Sequence, residues 1–204
     1  MNEQVFWQDN DLPEVSLEEF IKIINLPKNQ NKTFELINGH MVMMAGNASS
    51  NHQRISAYIA RKIGNYLEGK RCEVFQDLNV YLYKENIGKC KNVFQPDILI
   101  GCDKDKMTDK GYDGTPEFIA EVVSKSTAGN DYFVKSRFYM NFGVKEYWIV
   151  DLLKKQIVVY INNESEDRPD VYKYKFTDEV IISIFGDISI DFKEILKIVN
   201  PNHS

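Results

Sequence analysis

Cysteine is scarce: the 204 residues hold three, Cys72, Cys90 and Cys102, with no CxxC spacing. An odd number without paired spacing supports neither a disulfide framework nor a zinc cluster, and a reducing compartment fits it best. No apolar run approaches the roughly 18 residues of a membrane span. The start, MNEQVFWQDNDLPE, lacks the basic and apolar stretches of a signal peptide, so the sequence reads as cytoplasmic, with no membrane partner. Cations are outnumbered: 25 Lys and Arg against 30 Asp and Glu leave a net charge of -5. That balance argues against a general nucleic-acid coat protein, because affinity for phosphate backbones comes largely from clustered cations. It leaves room for acidic residues that hold cations behind a local basic rim, and residues 54–71 and 104–110 are two local basic stretches. No GxSxG, GxGxxG or GxxxxGK[ST] pattern occurs, and the histidines are only His40, His52 and His203. A hydrolytic serine triad, dinucleotide binding and P-loop chemistry therefore have no support.

What is present is the composition of a globular protein, 43% hydrophobic with 12 Phe and 11 Tyr, able to bury enough apolar surface to offset chain entropy. The length predicts a single domain over residues 1–204, its core at about 16–161 and a β-rich C-terminal extension at 162–199. Ser16 and Glu19 form a capping-box pattern ahead of Phe20, Ile21, Ile23 and Ile24, which predicts a short helix ending before Pro27. Asn38-Gly39 between 33–37 and 41–44 predicts a hairpin with a type I′ turn. Ile55, Ile59, Ile63 and Leu67 recur every four positions, as an amphipathic helix over 50–67 requires.

Residues 72–83 and 93–100 read as strands around a polar loop, and 103–114 as a second polar loop. Residues 118–123 form an apolar strand, followed by a helix from the N-cap Asn130 to about Phe142, closed by Gly143. Further strands fall at 146–151, 156–161, 171–176 and 180–184, with a closing helix at 192–199. Strands set between amphipathic helices predict an α/β fold, a mixed central β-sheet flanked by α-helices.

Two of these strands carry a charge that burial should forbid. Asp97 stands in Phe94-Gln95-Pro96-Asp97-Ile98-Leu99-Ile100, and Glu121 in Phe118-Ile119-Ala120-Glu121-Val122-Val123. An unpartnered carboxylate in such surroundings costs several kcal/mol, so each must lie at a strand end, be paired, or bind metal. Pro96 removes a ladder donor, which suits a strand edge or a bulge beside a site. Two carboxylates from neighbouring strands, 24 positions apart, make a hard-oxygen pocket suited to Mg²⁺ or Mn²⁺, with waters and phosphate oxygens completing the octahedron.

The chain resembles the PD-(D/E)XK nuclease superfamily and, within it, the Uma-two family of restriction-endonuclease-like proteins. The resemblance rests on Phe34-Glu35-Leu36-Ile37-Asn38-Gly39, His52-Gln53-Arg54-Ile55, Gln95-Pro96-Asp97-Ile98, Glu121 to Thr127, Asp131 to Lys135 with Tyr139, and Gly143 to Asp151. It implies a restriction-endonuclease-like core, with Asp97 and Glu121 as metal ligands and Glu35 as a further acidic residue near the metal. Val123 departs from the pattern, for it stands where the superfamily has the lysine that activates water. The resemblance implies that Lys135, from the following helix, takes that role; an Asp131–Lys135 ion pair on a solvated helix face is the structural alternative. Implied with these is a metal-dependent endonuclease acting on nucleic acid, chiefly DNA.

Around this core His52, Gln53, Gln95 and Ser124 are candidate substrate-binding residues. His52 and Gln53 open the long helix, where amides and dipole attract phosphate; Ser124, Ser126 and Thr127 have turn and cap chemistry as their commoner role. Tyr147-Trp148 reads as core packing. Duplex cleavage calls for two sites, and spare strand edges in the tail could serve a homodimer. The rival reading, from another class, is a catalytically inactive nuclease-like binding module; Val123 favours it, and the trio Glu35, Asp97 and Glu121 opposes it.

Overall fold

The computed structural model describes residues 13–44, 49–123, 130–163 and 168–199. In chain order the elements are α1 (Leu17–Ile24), β1 (Phe34–Ile37), β2 (His40–Met43), α2 (Ser50–Leu67), β3 (Glu73–Phe75), β4 (Val80–Leu82), β5 (Asn92–Phe94), β6 (Ile98–Gly101), β7 (Met107–Thr108), β8 (Gly111–Asp113) and β9 (Phe118–Val123). A π-helical turn (Asn130–Lys135) then runs into α3 (Ser136–Asn141), followed by β10 (Glu146–Asp151), β11 (Gln156–Ile161), β12 (Asp170–Lys175), β13 (Glu179–Ile181), β14 (Ser189–Asp191) and α4 (Phe192–Val199).

Local chemistry explains the starts and turns. Ser16 and Glu19 make both halves of the capping box at α1. Asn38 and Gly39 take φ of 50° and 82°, the left-handed pair that a type I′ hairpin needs. The Ser49 hydroxyl accepts the His52 amide and starts α2.

Among the described residues the strands form two six-stranded sheets, ordered β2-β1-β5-β4-β8-β7 and β12-β11-β10-β9-β6-β3, and a separate β13-β14 pair. The second sheet is mixed, since β9 and β10 run parallel while its other neighbours are antiparallel. One of its faces packs Ile98, Ala120 and Trp148 against Ile55, Ile59 and Ile63 of α2 and Phe192 of α4. Its other face packs Ile119, Tyr147 and Ile149 against Tyr139 of α3 and against Val80 and Phe94 of the first sheet. Each of these fully buried aliphatic side chains contributes roughly 1.5–3 kcal/mol. The predicted α/β fold with a mixed, helix-flanked sheet is therefore observed.

Besides the packing of α4, residues 168–199 meet the rest of the chain through strand pairing and a buried carboxylate. β12 pairs along its whole length with β11. Glu146, fully buried, accepts the Trp148 indole N–H at 2.7 Å and the Ile184 amide at 3.1 Å.

Several predicted elements divide. The single strand expected over 72–83 is two, because the chain leaves the second sheet after β3 and joins the first at β4; Asp77, at φ 52°, makes the crossing. The strand expected over 93–100 divides likewise into β5 and β6 on either side of Pro96, which has no amide to continue a ladder. The polar loop at 103–114 holds β7 and β8. The helix from Asn130 opens as a wide π turn rather than an α-helix.

The absence of a disulfide, expected from the cysteine count, is corrected: Cys72 and Cys102 are bonded to each other. They lie 30 residues apart in sequence. The β3–β6 register, Glu73 opposite Gly101, continues by one position to bring them face to face. Cys90 stays a buried thiol, its pKa pushed up to about 11 by burial. On the chain-entropy account a bridge of this span contributes about 3–4 kcal/mol. Reduction, or Cys102→Ser, is thus expected to lower the urea midpoint correspondingly; an unchanged midpoint would show that the bridge carries no stability. No helix among the described residues is long and apolar enough to cross a membrane.

Candidate functional site

The two crossings between the sheets lie side by side. Continuing the β3–β6 register, with Phe75 opposite Leu99, sets Asp77 opposite Asp97. Gln95 locks the crossings together, its side-chain amide donating to the Asp77 carbonyl at 2.7 Å. Asp97 therefore stands at the start of β6, as a carboxylate at a strand end rather than in mid-strand. Its Oδ2 accepts the Val122 amide of β9 at 2.6 Å and lies 3.1 Å from His52 Nε2 at the start of α2. Helix, strand and crossing thus converge on one oxygen.

Beside it is a buried ion cluster. Lys135, at the end of the π turn, places Nζ 2.9 Å from Glu35 Oε1 of β1 and 2.9 Å from Glu121 Oε1 of β9. The side chains are 3%, 1% and 5% exposed, so these charges are almost fully withdrawn from water. Tyr139 of α3 donates to the same Glu121 oxygen at 3.1 Å, and the Gln95 amide to the same Glu35 oxygen at 3.3 Å. β-strand alternation puts Glu121 and Val123 on one face, where Val123 packs in the core beneath the π turn and α3. The ammonium that Val123 cannot supply in sequence comes to the carboxylate from the overlying helix.

A second link holds that helix in register. The Tyr132 hydroxyl, on the same π turn, donates to Asp151 Oδ2 at 2.9 Å and receives the Gln156 amide at 3.0 Å. Burial first, then the bond to Asp151, pushes the Tyr132 pKa up to about 12. π-helical turns recur at functional sites; this one directs Lys135 and Tyr132 to separate buried carboxylates.

Electrostatically the site carries surplus negative charge: Glu35, Glu121 and Asp97 face one ammonium and one imidazole. Glu35 Oε2 is buried without a hydrogen-bond partner among the described residues, an arrangement that leaves a hard anionic oxygen for a cation. No three His, Cys, Asp or Glu side chains of the described residues meet closely enough to make a complete protein cage.

Not every candidate joins the cluster. Gln53 faces solvent on α2. Gln95 donates its main-chain amide to the Glu35 carboxylate and its side-chain amide to the Asp77 carbonyl, so it braces the site. Ser124, Ser126 and Thr127, and the side chains of Asn130 and Asp131, lie outside the described residues. Asp77 was not singled out by the sequence, where it sits in a polar stretch; its one signal is a left-handed backbone that Asp tolerates. Burial, then the neighbouring Asp97 carboxylate, raises its pKa, and His52 offsets part of that rise.

Comparison with known proteins follows from this geometry. The pattern of the Uma2 family, described as "Putative restriction endonuclease", matches residues 17–193. An uncharacterized protein of Synechocystis sp. (strain PCC 6803) is 31% identical over 121 residues, 57% of this chain; the matched part spans 65% of that relative's length. A crystal structure from Anabaena variabilis ATCC 29413, described as that of a "putative nuclease belonging to DUF820", superposes with a TM-score of 0.70 over 90% of this chain and 98% of the other. At 16% identity that likeness establishes a shared fold. With the family pattern spanning all but the two ends, the chain belongs to the Uma2 family of restriction-endonuclease-like proteins.

Proposed function

We propose that this protein is a Mg²⁺- or Mn²⁺-dependent endonuclease that hydrolyses phosphodiester bonds of DNA within one domain. The observation that carries the reading is the Lys135 ammonium, 2.9 Å from both Glu35 and Glu121. Asp97 and Glu121 would hold the cation, with the unpartnered Glu35 oxygen reaching it through water. A bound divalent ion supplies Lewis acidity, offsetting charge that develops on the phosphate and lowering the pKa of the attacking water.

The chain's own groups account for the rest. The Lys135 cation, held between Glu35 and Glu121, would favour deprotonated water and stabilise the extra charge of the transition state. Glu35 and Tyr139 orient that ammonium and its carboxylate partner so that little reorganisation is needed during reaction. His52 steadies Asp97 from α2.

The direct test is cleavage of plasmid and single-stranded DNA in Mg²⁺, in Mn²⁺ and in EDTA. Nicking or linearisation that requires the ion and stops in EDTA is expected. Binding without cleavage in any metal would move the protein to the inactive binding-module reading. Cleavage that persists in EDTA would sink the metal assignment.

A further inference from the structure

We infer that the edge of the second sheet is a track for the phosphodiester backbone flanking the scissile bond, built from Lys154, Lys155, Lys173 and Lys175; the inference rests on the nuclease reading above. The register across the sheet carries it. Glu121 is paired with Ile149, Ile149 with Val158, and Val158 with Lys173. One row further along, Val123 is paired with Asp151, Asp151 with Gln156, and Gln156 with Lys175. Side chains in register on neighbouring strands project to one face, so Lys173 and Lys175 emerge on the face that bears Glu121. At about 4.8 Å per strand, Lys173 lies roughly 14 Å from the Glu121 row position, about four steps of a duplex at 3.4 Å per strand.

The gap between site and edge is bridged. Lys154, in the β10–β11 turn, holds its ammonium 4.4 Å from the ring centre of Tyr132, on the π turn that ends in Lys135. Lys154, Lys155, Lys173 and Lys175 also line one surface cavity of about 470 Å³ that wraps the sheet edge toward Tyr174, Phe176 and Leu196 of the opposite face, and its lining among the described residues includes no acidic side chain. All four are exposed; Lys154 pairs with Asp151 Oδ2 at 3.6 Å, while Lys155, Lys173 and Lys175 have no ion-pair partner among the described residues. Asp178, which follows the strand, directs a carboxylate oxygen to the Lys175 backbone amide instead.

In a chain of net charge -5, three cations without an ion-pair partner among the described residues, with Lys154 beside them, concentrate positive potential in one place. A linear polyanion that must also reach Lys135 is the partner such a strip fits. Exposed lysines serve it as point charges, reading backbone and not sequence.

The test is binding of the full chain to a phosphorothioate duplex of about 30 base pairs in Mg²⁺, with salt varied from about 50 to about 200 mM. Lys173→Ala/Lys175→Ala is expected to weaken affinity about 10-fold and to flatten the slope of log K against log salt by about 1.8, two phosphate contacts' worth. Lys173→Arg/Lys175→Arg should restore both. Lys84→Ala/Lys89→Ala removes equal charge from the loop between β4 and β5, at the end of the first sheet away from the Asp97 crossing, and should leave the slope as in the parent. An unchanged slope in the edge variant, with parent and edge variant equally stable, overturns the track and spares the nuclease reading. Displacement of the duplex by polyglutamate at equal charge concentration also overturns it, in favour of acidic peptide. A parent that binds no DNA at any salt overturns both readings.

Discussion

Lys135→Ala is expected to lower metal-dependent DNA cleavage by about 10²- to 10³-fold, the loss that follows removal of one preorganised charge-stabilising group. The same substitution leaves Glu35 and Glu121 buried without the ammonium that lies 2.9 Å from each. Breaking a buried ion cluster by deleting one partner costs about 3–5 kcal/mol, so the apo variant should melt well below the parent. A divalent ion that binds those carboxylates should then raise the melting temperature of Lys135→Ala more than that of the parent, since it replaces the missing positive charge as well as binding the folded state. Lys135→Arg, which keeps the charge but not the geometry, should recover stability more than turnover. Unaltered cleavage by Lys135→Ala would remove the lysine from the proposed chemistry; equal metal stabilisation of variant and parent would argue that the ion binds elsewhere.

Asp97→Ala should be comparably damaging, with activity down on the order of 10³-fold, because on the proposed reading it strips an oxygen that would bind the metal and not a neighbour of one. Two effects are mixed in that variant. Oδ2 also accepts the Val122 amide at 2.6 Å, and leaving that buried N–H unsatisfied costs about 1–3 kcal/mol. Asp97→Asn separates them, because its amide oxygen can still accept from Val122 while the charge is gone. Mn²⁺ affinity measured by calorimetry should fall in both variants, and urea stability chiefly in Asp97→Ala. Metal-dependent activity that survives in both would exclude Asp97 from the site.

Much of the architecture was legible before any coordinates, where local rules decide it. The Ser16–Glu19 capping box, the Asn38-Gly39 turn and the four-residue spacing of Ile55, Ile59 and Ile63 each involve atoms a few residues apart, and each appears where expected. The misplacements share a cause. Residues 72–83 and 93–100 are continuously strand-like, yet each passes from one sheet to the other partway along, at Asp77 and at Pro96-Asp97. Propensity records that a residue is extended, not which sheet receives it. The bond between Cys72 and Cys102 escaped for the same reason, since only the β3–β6 register sets them opposite each other.

At the site the division is sharper. Composition and pattern alone exposed Asp97 and Glu121, because a charge in an apolar strand is a local anomaly that must be compensated. Pattern alone could not say what compensates it, and only the family resemblance pointed to Lys135 and Glu35, for Glu35, Glu121 and Lys135 come from β1, β9 and the π turn and meet only when two sheets and a helix close over one point. Nor could it say where His52 points, or that Lys173 shares a face and a row with Glu121. Those facts are long-range: they depend on strand order and register, which the chain acquires when its apolar faces are buried together, and that burial brought the lysine to the carboxylates while Val123 went to the core.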